Sequence, residues 1–80
     1  MEEIVGYINV NGTNYVVNIS PLYNEVLGET KYEVSSPGFE PFLMVWEHGL
    51  NPGFKIQGVA SYGAHEMKEA ISTVIEHHYA

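Results

Sequence analysis

The sequence predicts an α+β fold, a five-stranded, mainly antiparallel sheet with one C-terminal helix packed on one face, formed by residues 1–80 as one small domain. Three observations predict it. Apolar and polar residues alternate in short runs as far as Val59, an Asn-Gly pair marks a tight hairpin, and the period then changes to that of an amphipathic helix. A chain of 80 residues buries roughly 60% of the surface its unfolded form exposes, enough for one core.

Glu3 to Ser20 forms the first unit. Asn11-Gly12 tolerates the positive φ that a type I′ turn demands at both central positions. With those two residues as the loop, Val10 sits opposite Thr13, Ile8 opposite Tyr15, Gly6 opposite Val17 and Ile4 opposite Ile19. All four pairs share one face, which becomes apolar. The other face carries Val5, Tyr7, Asn9, Asn14, Val16 and Asn18. Turn chemistry and alternation give this register independently.

Pro21 to Gly28 is expected to leave the sheet as a loop, because proline cannot donate to a ladder and glycine suits a turn. Lys31 to Ser35 alternates again, with Tyr32 and Val34 inward and Glu29, Lys31, Glu33 and Ser35 outward. Ser36-Pro37-Gly38 breaks that strand. Phe42-Leu43-Met44-Val45-Trp46 is the longest unbroken apolar run and holds the only tryptophan. It reads as a strand near the middle of the sheet, buried on both faces. A turn from His48 to Gly53 leads to Phe54–Val59, with Phe54 and Ile56 inward.

Ser61 or Gly63 is expected to cap a helix over Ala64–His78. At 100° per residue, Ala64, Met67, Ala70, Ile71, Val74, Ile75 and His78 fall on one stripe. Glu66 and Glu69 near its start and His77 and His78 near its end suit the helix dipole. One helix covers one sheet face only. The face left open would carry Val5, Tyr7, Val16, Leu43 and Val45, with Glu29, Glu33 and Glu47 among them. A mixed apolar surface of that kind marks a partner or a dimer, unless the sheet curls or the Leu22–Leu27 segment folds over it.

Charge and composition exclude several functions. There is no cysteine, so disulfides, thiolate zinc sites and cysteine nucleophiles are absent. Ten acidic residues, all of them Glu, face three lysines and no arginine, a net charge of −7. Without arginine there is no bidentate reading of phosphate or guanine, and three scattered lysines release few counterions. Direct nucleic-acid binding is therefore not expected. No charged-then-apolar leader opens the chain and no apolar run approaches ~18 residues, so neither export nor a membrane span is expected and the cytoplasm is the default compartment.

Candidate chemistry is sparse. His65-Glu66-Met67-Lys68-Glu69 begins like a zincin helix, but position 69 is Glu where the second histidine would stand. His65, Glu69 and Glu76 share a helix face and fall short of a structural or catalytic metal site, so no metal and no cofactor is expected. His48 in its turn lies beside Glu47 with no nucleophile to serve. No nucleophile elbow, phosphate loop or dinucleotide fingerprint is present. The sequons Asn11-Gly12-Thr13 and Asn18-Ile19-Ser20 read as turn and strand residues. No enzyme is expected.

The run Gly58-Val59-Ala60-Ser61-Tyr62-Gly63-Ala64-His65-Glu66-Met67-Lys68-Glu69-Ala70-Ile71 resembles the strand-to-helix joint of HicB-type antitoxin domains. There a small sheet feeds a helix through a Gly-x-Thr/Ser turn and a Glu-Ala pair. This sequence departs from the family in lacking the proline-glycine segment at the usual distance before the joint. Its 80 residues also leave no room for the family's DNA-binding extension. The resemblance implies a protein that inhibits a partner.

The functional expectation is a non-enzymatic acidic module that binds another protein. It would act as an inhibitor or accessory factor of the kind phages and mobile elements encode, masking a basic nucleic-acid-binding surface. Glu29, Glu33, Glu40 and Glu47 would engage a basic groove while Tyr7, Leu43 and Val45 supply the apolar anchor. The alternative is a structural homo-oligomer, such as a homodimer, or an assembly subunit formed through the open sheet face or an edge strand.

Overall fold

The computed structural model describes residues 3–58 and 62–79. Five strands, β1 (Ile4–Val10), β2 (Thr13–Asn24), β3 (Glu29–Ser36), β4 (Phe39–Glu47) and β5 (Gly53–Gln57), precede one helix, α1 (Tyr62–Tyr79). The strands form one sheet in sequence order, and every neighbouring pair is antiparallel. Local patterning sets each hairpin; the plain meander of all five is what the structure adds.

The first hairpin has the register expected of it, from Ile4↔Ile19 to Val10↔Thr13. Asn11 and Gly12 both take positive φ, 52° and 83°, as a type I′ turn requires. Asn9 fixes the turn from beneath: its amide donates to Asn14 Oδ1 at 2.9 Å and its carbonyl accepts from the Gly12 N–H at 3.2 Å. At the same end of the sheet, Pro37 and Gly38 connect β3 to β4, with Ser36 paired to Phe39. Proline followed by a glycine at φ 86° is the combination of a type II turn. Such a turn matches strand twist less well than the primed types, and the register is irregular just before it, between Val34 and Ser36.

The segment 21–28 does not leave the sheet. β2 runs on through Pro21, which pairs with Tyr32, as far as Asn24, which pairs with Glu29. The proline is tolerated because β1 pairs no further than Ile4↔Ile19 among the described residues, so β2 has an edge there. Pro41 in β4 sits in the same way beyond Leu43↔Gln57, the end of the β5 ladder. A four-residue turn, 25–28, then closes the second hairpin. Asn24 Oδ1 accepts from the N–H groups of Val26 and Leu27, the Gly28 N–H donates to the Asn24 carbonyl at 2.8 Å, and Gly28 takes φ 65°. Val26 and Leu27 stand out in solvent and do not fold over the open face.

β4 lies fourth in the order, with β3 at the centre. Its burial alternates: Phe42 and Met44 are buried, Leu43 and Val45 are half-buried, and Trp46 is 41% exposed. The expectation of burial on both faces is corrected accordingly, since only one face has a helix over it. The continuous apolar run conceals an ordinary one-sided strand.

α1 packs on the face carrying Ile4, Ile8, Val17, Ile19, Val34, Phe42 and Met44. It contributes Ala64, Met67, Ile71 and Ile75 to the same core, with Ala70 and Val74 half-buried beside them. Full burial of an aliphatic side chain stabilises by roughly 1.5–3 kcal/mol, so this interface dominates the fold. α1 rests chiefly on β1 and also reaches β5 and β4. A helix that touches both edge strands of one sheet has that sheet curled around it.

Two glycines permit the close approach. A Cβ on Gly6 would lie 2.7 Å from Val74 Cγ1, and one on Gly63 would run into the Phe39 ring. Gly63 is thus a helical packing residue and no cap; the alternative cap, Ser61, lies outside the described residues. Because α1 begins at Tyr62, its first turn holds no acid, and Glu66 instead accepts a 2.9 Å hydrogen bond from Asn11 Nδ2 of the first turn. His77 and His78 do fall in the last turn. His78 does not extend the buried stripe: it is exposed, with its ring 4.9 Å from that of Tyr79.

Candidate functional site

Two surfaces of the described residues could recognise something. The first is the sheet face away from α1. Its positions follow from the register: β1 offers Val5 and Tyr7; β2 offers Val16, Asn18, Ser20 and Leu22; β3 offers Glu29, Lys31, Glu33 and Ser35; β4 offers Leu43, Val45 and Glu47; β5 offers Lys55 and Gln57. Tyr7 is 80% exposed, and Val5, Val16 and Leu22 are all exposed. No element of the described chain covers them.

The apolar residues of this face form two groups. Val5, Tyr7 and Val16 cluster on β1 and β2, where Tyr7 pairs directly with Val16. Leu22, Leu43 and Val45 make a second group, linked through the lysine rung Leu22↔Lys31↔Val45↔Lys55. Asn18, Ser20, Ser35 and Glu33 lie between. The expected anchor of Tyr7, Leu43 and Val45 is therefore on one face but divided. Tyr7 stands three strands from β4, ~14 Å at the usual strand spacing.

The expected carboxylates are also placed. Glu29, Glu33 and Glu47 share the open face and are exposed, whereas Glu40 stands near the β3–β4 turn, ~23 Å along β4 from Glu47 at ~3.3 Å per residue. Glu29 Oε1 meets Lys31 Nζ at 3.9 Å, a long surface pair of little energetic weight. Lys31 and Lys55 flank Val45, so along β3 to β5 three carboxylates alternate with two ammonium groups. The net charge of −7 is thus spread over the molecule, including the exposed Glu66, Glu69 and Glu76 of α1. It is not concentrated on this face.

The second surface was not foreseen. Beyond the C-terminal end of α1, on the helix side of the sheet, a cleft of about 480 Å³ is lined by Tyr32, Trp46, His48 and Phe54, with Glu29 and Thr30 at its rim. Trp46 and Phe54 face each other across β4 and β5, their rings 5.1 Å apart at 83°, and Tyr32 lies 5.7 Å from Phe54 at 77°. His48 stands 6.3 Å from Trp46. Burial raises the Tyr32 phenol above its ordinary value of 10.0, and the neighbouring Tyr79 phenol, which hydrogen-bonds to it, raises it further. The signal in the sequence was three aromatic residues of inward parity on three strands; only the strand order joins them.

No protein-family model, no curated protein and no solved structure matches this chain. The HicB-like joint lies partly at residues 59–61, outside the described residues, so the site rests on geometry alone. Among the described residues no group of three His, Asp, Glu or Cys side chains is placed to hold a metal ion. His65, Glu69 and Glu76 do not converge into one. No helix is long and apolar enough to cross a membrane.

Proposed function

We propose that this chain is a non-enzymatic, acidic protein-binding module, an inhibitor or accessory factor that docks on a partner with a basic surface through the open face of its sheet. The observation that carries the reading is the uncovered face itself: Val5, Tyr7, Val16 and Leu22 are solvent-exposed directly behind a fully packed core. Exposed apolar groups gathered on one face are a recognised mark of an interface. Tyr7 has the size and amphipathic character of an interface anchor.

Charge divides the labour. The overall −7 steers a basic partner over long range, while the alternation of Glu29, Lys31, Glu33 and Lys55 sets local register. The same charge opposes pairing of two identical copies, which favours a different partner over a homodimer. A basic nucleic-acid-binding surface is the kind of target this module would mask. Reversal of Glu33 and Glu47 to Lys should slow association and flatten its salt dependence, measured by stopped-flow or biolayer kinetics on the purified pair. An unchanged association rate would refute the steering mechanism. A concentration-dependent dimer in sedimentation, broken by Leu43→Glu, would replace it with the homo-oligomer reading.

A further inference from the structure

The aromatic cleft at the β3–β4–β5 end lies on the opposite side of the sheet from the surface just described. We propose that it receives the guanidinium of an arginine side chain presented by a partner protein. The inference goes beyond the open-face reading and does not depend on it.

Three features argue for that occupant. The rings are nearly perpendicular in sequence, Trp46 to Phe54 at 83° and Phe54 to Tyr32 at 77°, so they wall the cleft in more than one plane and do not stack against each other. A ring face turned to a cavity attracts a cation through its quadrupole, tryptophan most strongly, and a planar guanidinium can also stack on it. Trp46 is 41% exposed although it sits on the core side of its strand, so its ring is open to a ligand. The lining holds one carboxylate, Glu29 at the rim, and one imidazole, His48. The Glu29 carboxylate lies 3.9 Å from Lys31 on the open-face side, so it acts on the cleft as a charge at the rim and not by direct contact. Among the described residues no lysine lines this cleft, while Lys55 and Lys68 line the neighbouring groove that shares Trp46 and Phe54.

Trp46 is the only tryptophan, and it also borders a groove lined by Lys55, Lys68 and Glu76, so its fluorescence is read together with the backbone shifts that place the ligand. An end-blocked Gly-Arg-Gly peptide should change that fluorescence saturably. The citrulline counterpart, equal in shape and neutral, should bind weaker by roughly an order of magnitude. Glu29→Gln should weaken arginine binding, whereas Glu66→Gln, the same charge change near the start of α1 beside the Asn11 turn, should leave it unaltered. With Trp46→Leu, amide shifts of β4 and β5 in NMR titration should vanish while the folded spectrum remains. Equal response to citrulline, or equal loss in Glu29→Gln and Glu66→Gln, would overturn the proposal.

Discussion

The two faces of the sheet are made from alternate residues of the same strands, yet they meet different surroundings. On the helix side Val17, Ile19, Val34 and Met44 lose all contact with water. One residue along each strand, Val16, Ser20, Glu33 and Val45 look outward, and no described element lies over them. The difference is not hydrophobicity alone, since valine occurs on both faces. It comes from there being one amphipathic helix for a two-faced sheet. The covered face is constrained by packing, and the open one is left for recognition.

That contrast can be broken most strongly at adjacent positions of β4. Met44→Ala should cost about 2–5 kcal/mol in chemical unfolding, the range for a truncated core side chain. Val45→Ala, one residue on, should cost well under half as much. Equal costs would mean that the open face is packed after all. Next in size, Gly6→Ala should destabilise by about 1–3 kcal/mol through its clash with Val74, and Val74→Ala in the same chain should recover part of the loss. Strict additivity of the two changes would deny the close approach.

On the open face, Tyr7→Ser should leave stability within about 0.5 kcal/mol of the parent, as a surface change does. The smallest effect belongs to the Tyr32 phenol. Its folded value is raised, so the stability it contributes is fully present below the unfolded value near 10.0 and is lost as pH rises through the higher folded value. Tyr32→Phe should therefore flatten the decline of thermal stability above pH 10.0. A decline as steep as the parent's would place the alkaline sensitivity elsewhere.

The sequence disclosed the parts of this architecture that depend on neighbours in the chain. Asn11-Gly12 determined a register that the first hairpin follows pair for pair, and the Ala64–Ile75 stripe is the helix face that packs. It misled where a local rule met tertiary context. Pro21 looked like the end of a strand, yet it pairs within β2 because β1 has already ended beside it. Phe42–Trp46 looked buried on both sides because a run of apolar residues does not state how many layers cover it. Of the open face, the members were legible from alternation, while the gap between Tyr7 and the Leu43–Val45 group needed the strand order. The lysine rung and the Tyr32–Trp46–Phe54 cleft needed it as well. These are cross-strand groupings, which no single stretch of sequence contains.

The most direct test of the open face as a recognition surface is affinity capture from cell lysate, at low and high salt, with the parent chain and Tyr7→Ser side by side after both are shown to melt alike. The account predicts one stoichiometric basic partner on the parent, released by salt, and absent from Tyr7→Ser. A partner held equally by both proteins, or capture of nothing but further copies of the chain itself, would contradict it.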